Sequence, residues 1–126
     1  MTKKLKASKS YRDTPEYFLA YAELLAAARR RGAVTYREIA FVTGLPMEWP
    51  RMLVEVGKLV GEISKDEDRM GRPMLSALAV HEKNGRPGNG FFGLAKELQK
   101  PFADDSVFWE KQKKSIYRIW RKRPRV

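Results

Sequence analysis

The sequence predicts a small α+β domain that is mostly helical, and three observations predict it. A chain of 126 residues with 43% hydrophobic and 33% charged residues has the size and composition of one globular domain. Residues 33–63 contain a capping box, a Gly-Leu-Pro turn and a second apolar helical face. Residues 72–92 carry an apolar run and two turn signals typical of a β-hairpin. Helix, turn, helix and hairpin, in this order, are the elements of a winged helix-turn-helix.

The first helix is predicted to begin at Pro15, because Thr14 is a suitable N-cap and proline is favoured at the first helical position. The segment that follows is rich in alanine and leucine, with apolar residues at helical spacing. Three arginines precede Gly32, which is placed to end the helix. Cations in a last turn interact favourably with the helix dipole, so capping explains these arginines as well as contact with phosphate does.

A short second helix is predicted from Tyr36 to Thr43, because Thr35 and Glu38 have capping-box spacing. Gly44 ends it, and a Leu-Pro turn follows. The third helix is predicted to begin between residues 47 and 50 and to end near Ile63, with an apolar stripe on one face. This third helix is the candidate recognition helix.

Residues 64–72 are predicted to form a loop or a frayed helix end, and their three acids are interpreted as a solvated face rather than a divalent-ion site. The run Met74–His81 is predicted to be a strand. The segment 84–88 contains an Asn-Gly and a Pro-Gly pair, which predict the tip of the hairpin.

A further helix is predicted at Gly90–Leu98, and a basic C-terminal helix at residues 107–123. The domain organisation is accordingly a flexible basic N-terminal arm at residues 1–13, a winged-helix-like domain at 14–102, and a basic aromatic C-terminal helix and tail at 103–126.

The formal net charge of +11 resides in the two ends of the chain. Residues 1–12 and 111–126 contain only basic charges, whereas the acids and bases of residues 13–110 nearly cancel. Basic ends on a near-neutral body favour a polyanionic partner, because each phosphate contact releases condensed counterions. A solubilising tail is the alternative interpretation of the N-terminal run.

The chain has no cysteine, which excludes disulfides, a thiolate metal site and a thiol nucleophile. No apolar run reaches the length of about 20 residues that a membrane span requires, and the N-terminus lacks the apolar core of a signal peptide. These features favour a cytoplasmic protein, associated with the nucleoid if it is bacterial.

The segment GAVTYREIAFVTGLP resembles the DNA-binding winged helix of the alkylguanine-DNA alkyltransferases and their alkyltransferase-like relatives. The matching positions lie within residues 32–57 and are Gly32, Val34, Thr35, Tyr36, Glu38, Ile39, Ala40, Gly44, Pro46, Val56 and Gly57. The resemblance implies a winged-helix fold with a DNA-facing surface. It also implies that Tyr36 presses on the DNA backbone beside a flipped nucleotide.

The sequence departs from that family at two functional positions. Val54 stands where the family keeps an intercalating arginine, although Arg51 lies one turn earlier. The family's acceptor cysteine is absent, and without a thiolate the protein does not transfer an alkyl group to itself.

No catalytic constellation is predicted. The single histidine, His81, has no plausible nucleophile or second metal ligand beside it, and no nucleophile elbow surrounds Ser76. Phosphate-loop, dinucleotide and zinc spacings are also missing. We therefore expect no enzymatic activity, no cofactor and no metal.

The sequence thus predicts a non-catalytic protein that binds DNA, duplex DNA above all, with RNA or single strands as further candidates, and no membrane partner. Affinity is expected to come mainly from the basic ends, with Tyr117 and Trp120 adding stacking. The candidate DNA-binding residues are Tyr36, Arg37, Trp49, Arg51, Lys58, Lys83, Asn84, Arg86, Lys114, Arg118, Arg121, Lys122 and Arg123.

Two alternatives stay open. The first is a protein-interaction adaptor that uses Trp49 as an exposed anchor, although a tryptophan folded back onto the core is slightly favoured. The second is a metal-dependent nuclease that uses Asp66 or Asp68. The DNA-binding prediction depends on two packed helices between Thr35 and Ile63 with a β-ribbon after them.

Overall fold

The computed structural model describes residues 9–121, which form a mostly helical α+β fold. The elements in this range, in chain order, are α1 (Pro15–Arg29), β1 (Val34–Thr35), α2 (Tyr36–Thr43), α3 (Arg51–Arg69), a 3₁₀ turn (Leu75–Leu78), β2 (Ala79–Val80), α4 (Asn89–Glu97) and α5 (Asp105–Ile119). Within the same residues, no helix is both long enough and apolar enough to cross a membrane.

The capping residues identified in the sequence begin the first two helices and end the second. Helix α1 ends at Arg29, and Arg31, not Gly32, takes the left-handed conformation with a φ of 57°. The Thr14 side chain accepts a hydrogen bond from the Tyr17 backbone N–H at 3.3 Å at the start of α1. At α2 both bonds of the capping box form, from the Glu38 N–H to Thr35 Oγ1 at 3.0 Å and from the Thr35 N–H to Glu38 Oε1 at 2.8 Å. Gly44 ends α2 with a φ of 79°, a left-handed conformation that glycine adopts at low cost.

Helix α3 continues to Arg69, so the prediction of a loop from residue 64 was wrong. Tertiary partners satisfy the polar side chains of this segment. The Ser64 hydroxyl donates to Ser76 Oγ at 2.7 Å, and both serines are buried. The buried Glu67 carboxylate pairs with Arg72 at 2.7 Å and accepts a hydrogen bond from the Tyr21 hydroxyl at 3.0 Å. A polar composition that indicates a loop in isolation therefore forms a helix face packed against α1.

The predicted strand Met74–His81 and its hairpin are not formed. Most of this run is the 3₁₀ turn, and the two residues of β2 pair in parallel with β1, Val34 opposite Ala79. Across the described part of the chain, this parallel pair is the whole sheet. Residues 74–80 are all buried, so the segment lacks the alternation of buried and exposed residues that is typical of a hairpin strand with one solvated face.

A compact loop occupies the place of the hairpin tip. The His81 backbone N–H donates to the Arg86 carbonyl, and the Gly85 N–H donates to the His81 carbonyl, both at 2.9 Å. Asn84 uses its side-chain oxygen to accept from the Arg86 N–H at 2.9 Å. The turn signals at 84–88 therefore produced a turn, but no returning strand follows it, because α4 begins at Asn89.

Helix α5 is part of the same core as the other helices. The Trp109 indole N–H donates to the Ala77 carbonyl at 2.8 Å, and the Gln112 side chain accepts from the Met74 N–H at 2.9 Å. Ile116 is fully buried. The helix ends at Ile119 rather than near residue 123.

The N-terminal segment is also attached from Tyr11 onward. The Tyr11 N–H donates to the Glu62 carboxylate at 2.7 Å, and Arg12 pairs with Asp66 at 3.0 Å, both on α3.

Candidate functional site

Tyr36, the residue expected to press on a DNA backbone, is buried at the start of α2. Its hydroxyl accepts a hydrogen bond from the Gly88 N–H at 3.0 Å, and its ring meets the His81 ring edge-on with centroids 4.9 Å apart. Burial raises the pKa of Tyr36, and the Gly88 N–H opposes that shift. The side chain therefore holds the loop against α2 and is not presented at the surface.

Two of the candidate cations on α2 and α3 are already paired with acids. Arg37 pairs with Glu82 at 3.1 Å, and Arg51 pairs with Glu48 at 3.2 Å. Val54, at the position of the family's intercalating arginine, is 61% exposed. Since a phosphate would have to compete with these carboxylates, this face is a weak source of electrostatic affinity.

A groove of about 800 Å³ lies between α3, α4 and the loop after β2. Lys58 is on its wall, and Trp49 is at its edge with 67% of the residue exposed. The expectation that Trp49 folds back onto the core was therefore wrong. Five glycines also line the groove: Gly57, Gly61, Gly88, Gly90 and Gly93.

The remaining candidates in the loop after β2 divide into two groups. Lys83 and Asn84 are exposed at its tip. Arg86 instead packs inward, with its guanidinium 5.0 Å from the centroid of the Trp109 ring and a hydrogen bond to the Ser106 hydroxyl at 3.3 Å. The loop thus presents one of its two candidate cations freely to solvent.

Four exposed cations in and just after α5 form what we call the α5 stripe. Its members are Lys111, Lys114, Arg118 and Arg121. The spacing of three and four residues places Lys111, Lys114 and Arg118 on one helical face, and Arg121 follows two residues after the end of the helix. None of the four makes an ion pair with any residue in the range 9–121, unlike Lys113, which pairs with Glu110 at 3.2 Å.

The tertiary structure places the end of α1 beside the second half of α5. The Tyr117 hydroxyl donates to the Gly32 carbonyl at 2.9 Å, and the Arg31 guanidinium lies 5.3 Å from the centroid of the Tyr117 ring. Burial raises the pKa of Tyr117, while the charges of Arg31 and Arg30 oppose that shift. Both arginines are exposed, so they extend the α5 stripe. No pattern in the sequence indicates this proximity, because 85 residues separate Tyr117 from Gly32.

The aromatic residues of α5 do not offer free ring faces, so the expected stacking by Tyr117 and Trp120 is not supported by their positions. Both pack against the core, and the Trp120 indole nitrogen is buried without a hydrogen-bond partner in the described structure. Arg72 lies 5.5 Å from the centroid of Trp120, and Lys113 lies 3.7 Å from that of Trp109. Cations of the protein itself cover these rings.

The last two candidates, Lys122 and Arg123, lie outside the described residues. The carboxylates proposed for a nuclease are engaged elsewhere: Asp66 pairs with Arg12 and Arg69, and Asp68 pairs with Lys100. Over residues 9–121, no group of three or more His, Cys, Asp or Glu side chains is arranged to hold a metal ion.

The chain matches no protein-family model, no curated protein and no solved structure. Fold and surface together define a mostly helical α+β domain with an exposed cationic helix face and a glycine-lined groove. Function is therefore inferred from these two features.

Proposed function

We propose that the protein is a non-catalytic DNA-binding protein whose affinity comes mainly from electrostatic contacts of the α5 stripe with phosphates. The observation that carries the proposal is the exposure of Lys111, Lys114, Arg118 and Arg121 in and just after α5, unpaired within residues 9–121. No β-hairpin follows α3 in the described residues, so the winged helix on which the DNA-binding prediction depended does not support the proposal, which rests on the charges of the α5 stripe alone.

The helix dipole does not explain the whole stripe. Its influence is confined to the last turn of a helix, and a cation there contributes about 0.3–1 kcal/mol. Lys111 and Lys114 lie more than one turn before Ile119, the last residue of α5. Glu110 is the acid next to this row in the sequence, and it pairs with Lys113 rather than with a member of the stripe. A row of unpaired cations costs self-repulsion, and a polyanion relieves that cost by binding the cations and releasing its own condensed counterions.

The experiment compares two charge-matched double variants on a 20-base-pair duplex across a series of salt concentrations. Lys114→Ala with Arg118→Ala should lower affinity uniformly across sequences and flatten the salt slope by about two units, because each phosphate that is no longer neutralised removes about 0.9 from the slope. Lys65→Ala with Lys96→Ala removes the same charge from α3 and α4 and should leave the slope nearly unchanged. An equal reduction of affinity in the two variants would show a general charge effect and contradict the proposal.

A protein-interaction module is the second candidate, and the exposed Trp49 at the edge of the groove favours it. Exposed tryptophans beside a pocket are frequent anchors of protein interfaces. Sedimentation at low and high salt tests this candidate with a second copy of the chain as partner. Self-association that salt does not weaken, and that Trp49→Ala abolishes, would support it; a monomer under all conditions would count against it.

A further inference from the structure

We infer that the α5 stripe and the arginines at the end of α1 form one composite surface that binds the paired phosphate backbones of a duplex, an inference that rests on the proposed function and names the form of nucleic acid bound. This cationic surface consists of Lys111, Lys114, Arg118, Arg121, Arg30 and Arg31. It binds duplexes in preference to single strands.

Contacts between α1 and α5 make the surface continuous. Tyr117 lies beneath the junction, with its hydroxyl bonded to the Gly32 carbonyl and its ring facing the Arg31 guanidinium. Arg30 is anchored close by, because its guanidinium donates to the Ala33 carbonyl at 2.9 Å. Neither arginine forms an ion pair with a residue that the structure describes, so both charges are available to an anion.

The length of the α5 stripe suits several phosphates. From Lys111 to Arg118 the stripe covers about 10 Å along α5, and Arg121 follows the end of the helix. Each strand of B-DNA carries one phosphate per roughly 3.4 Å of axis, so this length faces about three phosphates of one strand. The two arginines of α1 lie beside the stripe rather than on its helix, and they broaden the surface across its width.

The cationic surface lacks the exposed aromatic faces on which single strands are usually stacked, since the exposed rings of Phe18, Phe41 and Trp49 all lie outside α5. Proteins that bind single strands stack bases on exposed aromatic faces, with about 1–3 kcal/mol per base. Along α5 the rings of Trp109, Tyr117 and Trp120 lie under cations or against the core. The large hydrophobic residues that α5 does expose, Val107 and Ile119, are aliphatic. A surface with charge and no stacking platform responds to charge density, which is higher on a duplex than on a single strand.

The experiment measures four ligands at equal salt: a 20-base-pair DNA duplex, the matching RNA duplex, and a single strand of each. The wild-type chain should bind the duplexes about tenfold or more tightly than the single strands. Arg30→Gln with Arg31→Gln should weaken duplex binding about tenfold and flatten the salt slope by about two units. If the DNA and RNA duplexes bind with equal affinity, the result supports recognition of the phosphate backbone that they share. If one duplex binds more tightly, the result also supports the inference and identifies which nucleic acid the protein prefers.

A charge-conserving variant separates binding from folding. Arg30→Lys with Arg31→Lys keeps both charges and should retain most of the duplex affinity. If the guanidinium groups had only a structural role, the lysine variant would bind the duplex as weakly as the glutamine variant. Thermal melting of each variant checks that it is folded.

The outcomes distinguish this inference from the proposed function. If Lys114→Ala with Arg118→Ala weakens binding but the Arg30 and Arg31 variant does not, the composite surface is refuted while DNA binding stands. Single strands bound as tightly as duplexes refute the inference in the same way. No binding to any of the four ligands overturns both.

Discussion

At the scale of single residues, two hydrogen bonds from tyrosine hydroxyls to carboxylates join α1 to α3, in addition to the apolar core that the two helices share. Asp66 shows how they act, since it accepts from the Tyr17 hydroxyl at 2.6 Å and pairs with Arg12 at 3.0 Å. Partial burial alone would raise the pKa of Asp66, but the hydrogen bonds from Arg12 and Tyr17 outweigh it and hold the pKa below its ordinary value. The ionised carboxylate therefore stabilises the folded chain.

This lowered pKa predicts a dependence of stability on pH. A carboxylate with a depressed pKa contributes stability at pH values above its unfolded-state pKa of about 3.9, and this contribution disappears as the pH falls through the folded-state value. Asp66→Asn should lower the free energy of unfolding at pH 7 by about 1–2 kcal/mol, a modest amount because Arg12 is 37% exposed. Urea titrations should show that this difference shrinks below pH 4. Asp13→Asn, at an exposed carboxylate without an ion pair among the described residues, serves as control, because asparagine tolerates the positive φ of 65° at that position. A constant difference across pH would contradict the assignment.

At the scale of elements, the glycines of α3 and α4 are unusual because packing does not require all of them. A methyl group placed on Gly57 would meet no atom within 4 Å outside its own helix, and the same holds for Gly93 on α4. Glycine inside a helix costs about 1 kcal/mol relative to alanine. No neighbouring atom in the described structure therefore requires glycine at these two positions, although each glycine lowers the stability of its helix.

Substitution at two glycines of different conformation tests this interpretation. Gly57→Ala should raise the free energy of unfolding by about 0.5–1 kcal/mol, because it removes backbone freedom from the unfolded chain without a clash. Gly44→Ala should instead lower it by about 1 kcal/mol, because φ is +79° at that position. Chemical denaturation measures both changes. If Gly57→Ala lowers the free energy of unfolding, the added methyl group is too close to neighbouring atoms and packing does require glycine at this position.

At the scale of the whole molecule, α5 and the 3₁₀ turn connect the C-terminal part of the chain to the helices that precede it. Leu75 and Leu78 are fully buried within the common core, and Trp109 bonds to the backbone of Ala77. The segment predicted as a separate C-terminal element, residues 103–126, is thus part of the core as far as the structure describes it.

A shared core predicts cooperative unfolding. Ile116→Ala removes a fully buried side chain from α5 and should lower the free energy of unfolding by about 2–5 kcal/mol. Circular dichroism, which follows all the helices, and tryptophan fluorescence should give coincident transitions in the wild type and the variant. If the tryptophan fluorescence of the variant changes before most of its circular dichroism signal is lost, α5 unfolds separately from α1–α4.

Local chemistry explains which features the sequence determined by itself. The Thr14 cap, the Thr35–Glu38 capping box and the Gly44 end are interactions among residues at most four apart, so the start of α1 and both ends of α2 follow from the sequence. The mostly helical composition and the cationic face of α5 follow in the same way, from spacing along one helix.

Long-range contacts decided the rest. Residues 74–80 carry a strand-like pattern, but complete burial and parallel pairing with Val34 and Thr35 made them a 3₁₀ turn and a two-residue strand. Partners from α1 and Arg72 kept residues 64–69 helical, and Tyr117 placed the arginines of α1 beside α5. In each case the deciding partner is distant in sequence or depends on how the helices pack, and such contacts leave no periodic pattern in the chain.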